Sequence, residues 1–326
     1  MRSEAPEDGR RGNPFVTVLK AVGTILLATV AAIAVDIAVL SQRVQREPVR
    51  KSAAVSSTYS KTWLVVGVDD KPVIDPATNQ TVGDRADVII VVQVPDDGGQ
   101  ARILSIPRNL TVRYDAEGHM ERLTLLLKPG IDTLIGGLCE GMGIPVDHVA
   151  MVSMSGMVNL VDAVGGVWMD IEYPMHDDDK GLDIPKAGHQ LLDGTDALGL
   201  LRARTAERKI DGKWIPFTED EGNAARARYS GELVDSFVER FKQVASDPVK
   251  LQQIAFVGTG AVTIDDGTTA FDIASIAPRV EQDMQLLPVE AMPMDKAEWT
   301  SYMNDETLQV LAGFDYYPGG GCKQAQ

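Results

Sequence analysis

The side chains best suited to grip an anion are Arg202 and Arg204, two positions apart in the run Ala197-Leu198-Gly199-Leu200-Leu201-Arg202-Ala203-Arg204. Four further clusters precede or follow them: Gly67-Val68-Asp69, Arg85-Ala86-Asp87, Ser105-Ile106-Pro107-Arg108, and a helix-like segment containing Arg226. The chain has 47 acidic and 31 basic side chains, so arginines set beside apolar runs call for a reason. A guanidinium offers a planar fork of donors that suits phosphate oxygens, and it stays charged when partly buried. Several of them beside two aspartates describe a metal-assisted site for a phosphate or pyrophosphate.

Each cluster also has a plainer reading. Asp69 follows an apolar strand and Asp87 precedes another, so each is read, taken alone, as a turn cap at a strand end. If those strands pair antiparallel, the two carboxylates face each other and suit a hard cation such as Mg²⁺, with phosphate oxygens completing its shell. Arg108 by itself is a loop arginine. Arg202 and Arg204 diverge by about 200° on a regular helix. Both reach one ligand only if the helix ends there and the chain turns; otherwise one is packed and one solvated. Of Arg226 and Arg228, one is expected to point inward.

Other chemistries lack their signatures. The histidines at 119, 148, 176 and 189 form no metal-ligand spacing. Ser153 and Ser155 lack a nucleophile-elbow context, and no Walker-type or dinucleotide-binding glycine loop is present. Asp177-Asp178-Asp179 reads as a solvated acidic loop. A net charge of −16 disfavours a general nucleic-acid binder. Cys139 and Cys322 fit no zinc or CxxC spacing, and two separate thiols are expected in preference to one disulfide.

The elements that must position these groups alternate between strand and helix, the pattern of a layered α/β domain. Strands are expected at Trp63–Val68, Val88–Val94, Ala101–Ile106, His148–Met154 and Val167–Ile171. Helices are expected at Ile131–Met142, Ser155–Ala163, from Thr195 to near Arg202, and at Glu219–Val244. Pro174–Lys186 reads as an acidic loop and Glu207–Thr218 as a polar insertion. At the N-terminus, Ala21–Leu40 is long enough to cross a bilayer, and Asp36 is its only charge. Basic residues flank it on both sides, so they do not fix its orientation.

Taken in order, these pieces resemble the LytR-CpsA-Psr family of membrane-anchored phosphotransferases. The likeness runs from Trp63 to Val244. It rests on Val66-Gly67-Val68-Asp69, Arg85-Ala86-Asp87, Ser105-Ile106-Pro107-Arg108 and Gly143-Ile144-Pro145-Val146-Asp147-His148. Leu160-Val161-Asp162-Ala163-Val164-Gly165-Gly166-Val167, Gly194-Thr195-Asp196-Ala197-Leu198 and Leu201-Arg202-Ala203-Arg204 continue it. Any one of the seven is weak; the series is specific.

The resemblance implies a central mixed β-sheet flanked by helices, with a hydrophobic pocket for a lipid tail and an N-terminal transmembrane helix. It implies a cytoplasmic tail over 1–20, an anchor over 21–40, a stalk over 41–61, an extracytoplasmic domain over 62–315 and a flexible tail over 316–326. Arg85, Arg108, Arg202, Arg204 and Arg226 would hold pyrophosphate; Asp69 and Asp87 would hold Mg²⁺; Asp87, Arg108, Arg202 and Arg204 would act in catalysis. Glycines around Gly136 and Gly137 are candidates to leave room for the lipid, although a packed core explains them equally well. The implied enzyme sits in the bacterial cytoplasmic membrane. It moves a glycopolymer from a polyprenyl-pyrophosphate carrier to peptidoglycan or a surface protein.

The sequence departs from the family pattern at Lys71, Asn109, Asn223 and Ala227, where arginine, aspartate, arginine and glutamine are usual. Those at Asn109, Asn223 and Ala227 favour a second reading, a non-catalytic member that binds polyprenyl phosphates as a scaffold or regulator. A third is pyrophosphate hydrolysis, with water in place of the acceptor.

Overall fold

The computed structural model describes residues 38–50, 52–54, 60–68, 73–74, 81–82, 85–178, 181–203, 206–276, 279, 284–291, 300–319 and 322–324. Its centre is a seven-stranded mixed sheet in the order Gln45–Glu47, Val262–Asp265, His148–Ser153, Ser60–Val68, Ala86–Pro95, Arg102–Ser105 and Gln285–Leu286. Ser60–Val68 lies parallel to His148–Ser153 and antiparallel to Ala86–Pro95. Its run of Trp, Leu and Val suits a strand covered on both faces. One face, with Leu64, Val66, Ile89, Val91 and Leu104, packs against Leu123, Leu126, Leu134, Ile135, Leu138 and Met142. The other face buries Trp63, Val92, Val94 and Ile103.

The expected helix over Ile131–Met142 is present in two pieces, an α-helix at Ile131–Gly136 and a π-helical turn at Gly137–Gly141. A Cβ at Gly137 would lie 2.4 Å from Leu126 Cδ1. The glycine therefore admits a leucine side chain from the neighbouring helix; close packing, not spare room, accounts for it.

A second, smaller core carries the other arginine-bearing elements. Met169, Ile171, Met175, Leu182, Leu200, Phe217 and Tyr229 pack together beneath a four-stranded sheet. That sheet runs Leu182–Ile184, Met175–Asp177, Glu207–Ile210, Lys213–Pro216. Two expectations are corrected here. The acidic loop and the polar insertion each supply strands, because apolar residues alternate with charged ones at Leu182-Asp183-Ile184 and a Gly212 turn folds Glu207–Pro216 into a hairpin.

Three further expectations change. The stretch read as a stalk contributes Gln45–Glu47 to the sheet edge, paired in parallel with Val262–Asp265. The stretch read as a flexible tail contributes Cys322–Gln324, which pairs with Ser52–Ala54, and it begins with the buried Tyr316. Cys139 and Cys322 are joined as a disulfide across 183 positions, because the fold brings that strand onto the π-helical turn. Residues 38–43 are helical and belong to a unit separate from Val44–Gln326. Among the described residues no helix is long and apolar enough to cross a membrane. The expected span over 21–40 lies outside them except for Ala38, Val39 and Leu40.

Candidate functional site

Asp87 is the second residue of Ala86–Pro95, and Arg108 follows Arg102–Ser105 after Pro107 has ended the ladder. The two strands are antiparallel neighbours, so the start of one lies beside the exit from the other. The Arg108 guanidinium forms an ion pair with Asp87 Oδ1 through Nη1. Both side chains are about one-fifth exposed, 22% and 21%. The Arg108 loop is fixed through its backbone: Thr124 N donates to Arg108 O at 2.8 Å, and Leu110 N to Pro107 O at 3.0 Å.

Arg226 reaches the same place from the long helix Glu219–Val244. Burial holds its guanidinium below the ordinary arginine range, the charge of Arg108 adds to that effect, and Asp87 opposes it. Two guanidiniums and one carboxylate thus share a half-buried site. Arg228, two positions on, is exposed and pairs with Glu172 at 3.3 Å. One arginine of this pair turns inward and the other outward, as the helical period requires.

Arg202 is the last residue of the helix Gly194–Arg202, which packs on the long helix; Ala203 is already extended. The helix stops where the two-arginine reading needs it to stop. Arg202 and Arg85 are half-buried. Arg204, Asp69 and Lys71 lie outside the described residues, as do the side chains of Asn223 and Ala227. The antiparallel pairing expected to set Asp69 across from Asp87 is present, with Val68 opposite Ala86. At that end Gly67 is required by contact, since a Cβ there would come within 2.9 Å of Val88 Cβ. Asn109 uses its carbonyl to accept from Ser301 N at 3.0 Å.

Several supporting residues escaped the sequence reading. Asp162 Oδ1 accepts from Gly194 N at 2.8 Å, and Asp193 caps the same helix through Thr195 N and Asp196 N. Thr218 and Glu221 form a capping box that starts the long helix, a signal visible in the Thr-x-x-Glu spacing. Arg208 Nη2 then binds Glu221 Oε1 at 2.6 Å and holds the Glu207–Pro216 hairpin to that helix end. His119, expected to have no ligand-spaced neighbours, gathers with Asp115 and Glu117 so that their ligand atoms lie within 4.8 Å. That cluster sits on the hairpin Thr111–Arg122 rather than with the arginines. Ser153 caps a helix through Gly156 N, a structural use of its hydroxyl.

The profile of the LytR-CpsA-Psr family matches residues 29–214, more than half of the chain. The chain belongs to this family. A LytR-Csp2A-Psr enzyme from Actinomyces oris superposes with a TM-score of 0.74 and 30% identity, over 87% of this chain and 99% of that one. The probable cell wall biosynthesis protein LcpB of Corynebacterium glutamicum is 32% identical over 56% of this chain and 44% of its own length. TagT of Bacillus subtilis, a polyisoprenyl-teichoic acid–peptidoglycan teichoic acid transferase, is 22% identical over 79% of this chain and 69% of its own. The chain spans less than half the length of the two Corynebacterium relatives, 44% and 40%. The mixed sheet is thus a LytR-CpsA-Psr sheet, and the Asp87–Arg108–Arg226 group lies on it and on the long helix.

Proposed function

We propose that this LytR-CpsA-Psr protein is a membrane-anchored phosphotransferase that moves a glycopolymer from a polyprenyl-pyrophosphate carrier to a cell-wall acceptor, peptidoglycan or a surface protein. The observation that carries this reading is the ion pair of Arg108 with Asp87, with a largely buried Arg226 near enough to feel the charge of both. Two cations to one anion in a half-buried site favour a ligand that brings negative charge, and a pyrophosphate brings it in a form the arginine fork fits. Arg85, Arg202 and Arg204 complete the set. Relatives named as teichoic acid transferases agree with the reaction class.

In this mechanism the acceptor hydroxyl attacks the phosphorus bonded to the sugar, and polyprenyl phosphate leaves. Arg108 and Arg226 orient the two phosphates and stabilise the charge that grows on the leaving oxygen. Asp87 fixes Arg108, and its pairing through Oδ1 makes Oδ2 the atom to meet a hard cation. A carboxylate oxygen from Asp87, with Asp69 at the end of the neighbouring strand and phosphate oxygens, suits Mg²⁺. When bound there, Mg²⁺ supplies Lewis-acid neutralisation of the phosphates. The carrier's tail would occupy an apolar pocket of the sheet-helix core, and the span over 21–40 would hold the domain on the outer face of the cytoplasmic membrane. The intrachain disulfide between Cys139 and Cys322 agrees with an oxidising compartment.

The departures at Asn109, Asn223 and Ala227 favour the second reading, a polyprenyl-phosphate-binding scaffold without turnover. Purified full-length protein given a short-chain polyprenyl-pyrophosphate glycan and peptidoglycan decides between them. Metal-dependent transfer that is lost in Asp87→Ala/Arg202→Ala establishes the enzyme. Bound lipid without transfer establishes the scaffold, and release of phosphate without glycan transfer establishes hydrolysis.

A further inference from the structure

Buried polar side chains in folded proteins almost always find a hydrogen-bond partner, and one that does not calls for a reason. Among the described residues three buried side-chain atoms have none: Thr124 Oγ1, Ser301 Oγ and Arg208 Nε. Arg208 is held in other ways, by Nη2 on Glu221 and by its guanidinium over the Phe217 ring. The two hydroxyls share a neighbour. Thr124 N donates to Arg108 O at 2.8 Å and Ser301 N to Asn109 O at 3.0 Å, so both residues lie against the segment that carries Arg108.

The two differ in reach. Ser301 is 1% exposed and wholly enclosed. Thr124 is half-buried as a residue, and only its hydroxyl oxygen is covered. It is the second residue of the short helix Leu123–Leu126, which packs on Ala86–Pro95, the strand that carries Asp87. Leu123 and Leu126 make that packing, in one core with Ala86 and Ile89. At about 100° per residue, Thr124 falls outside the side that those leucines present. Thr124 is thus bonded to Arg108 and carried on the strand of Asp87 without belonging to the apolar core.

A buried, unpaired hydroxyl lowers stability, and valine would fill the same space without that loss. Beside a group of arginines a hydroxyl can do what valine cannot, which is to donate to an oxygen that only accepts. Phosphate oxygens are of that kind. One step between staggered χ1 wells exchanges the methyl and hydroxyl of threonine, and in helices the residue uses two of those wells. The Thr124 backbone N–H is already given to Arg108, so the hydroxyl is the donor left to offer.

We infer that Thr124 is a further phosphate-contacting residue, its hydroxyl donating to an oxygen of the pyrophosphate that Arg108 and Arg226 hold. This rests on the reading proposed above. The contact adds what the guanidiniums lack, a short neutral donor that reads the position of one oxygen rather than total charge.

The test measures binding to the full-length protein in detergent micelles by calorimetry, with Mg²⁺ present. Inorganic pyrophosphate and a short-chain polyprenyl pyrophosphate are separate ligands, and thermal melting is recorded without either. Thr124→Val should bind both roughly ten-fold more weakly, the loss of one hydrogen bond to a charged group. It should melt at or above the wild-type midpoint, because the unpaired hydroxyl is gone. Thr124→Ser, which keeps the hydroxyl, should bind near wild type, and Ser301→Ala should leave binding unchanged.

Thr124→Val that binds as tightly as wild type overturns the inference. Weaker binding together with a lower melting midpoint assigns the residue to packing and overturns it as well. Equal weakening in Ser301→Ala, or weakening confined to the polyprenyl form, also removes Thr124 from the phosphates. Wild-type protein that binds neither ligand sinks the phosphate site itself. Thr124→Ala carries the comparison should Thr124→Val fail to fold.

Discussion

Arg108 closes on the carboxylate of Asp87 across 21 positions of sequence, at the point where one sheet strand begins and its neighbour has just ended. The pair does two things. It neutralises part of the charge that Arg226 would otherwise meet, and it holds the Arg108 fork in one orientation. Arg108→Ala should lower kcat/KM for glycan transfer by roughly ten- to a hundred-fold, the loss of one charge-assisted contact of about 1.5–3 kcal/mol. Arg108→Lys should recover little, because the charge survives and the fork does not. Steady-state transfer rates with a short-chain donor check both; wild-type rates in either variant would remove Arg108 from the site.

Chelation gives a separate prediction. With Asp87 only about one-fifth exposed and already engaged by Arg108, cation affinity depends on the substrate's phosphates. Dialysis against a chelator should abolish transfer and Mg²⁺ should restore it, while the thermal unfolding midpoint in the absence of substrate stays unchanged. A large fall in that midpoint would point instead to a structural ion.

Gly194 is held from two sides. Its N–H donates to Asp162 Oδ1, and a Cβ would come within 2.2 Å of the Val158 carbonyl oxygen. The obstacle is backbone, so it cannot swing aside. Gly194→Ala should destabilise the protein by about 1–3 kcal/mol, the usual cost of overpacking, read as a lower denaturant midpoint. Because Arg202 is carried at the far end of the same helix, transfer should fall as well.

The disulfide joins positions 183 apart and ties the C-terminal strand to the π-helical turn. Closing so long a loop restricts the unfolded chain, and losing the bond should cost about 2–5 kcal/mol. Cys139→Ala/Cys322→Ala should lower the melting temperature by on the order of 10 °C. A midpoint that does not move under reduction would show that the bond contributes nothing.

The sequence made the arginine-bearing elements legible where a local signal existed. The long helix is found at Glu219–Val244 as expected, and the Arg202 helix ends on that residue, since apolar periodicity and caps are local. The Cys139–Cys322 bond was misjudged because pairing depends on tertiary proximity, which spacing does not encode. Leu182–Ile184 and the Glu207–Pro216 hairpin were missed because acidic and basic residues on an outward strand face mask a short alternation. The convergence of Asp87, Arg108 and Arg226 was visible only as motif order. Asp162, the partner of Gly194, had no local signal.

Glu221 offers a pH test of how the long helix begins. The bond from Arg208 is the largest influence on it, with two from Thr218 adding to it, and together they bring its carboxyl from 4.5 down to about 2. A depressed acid stabilises the fold when ionised, so its contribution is complete above 4.5 and is lost as pH falls toward 2. Glu221→Gln keeps an acceptor for the cap and removes the charge. The variant should therefore melt below wild type near neutral pH, and the two curves should draw together as pH falls through that window. Arg226 stands five positions along the same helix, so the variant should also show weaker binding of a short-chain polyprenyl pyrophosphate at neutral pH. Parallel melting curves at every pH would mean that the Arg208–Glu221 pair does not set the helix start, and the loss of binding would then need another cause.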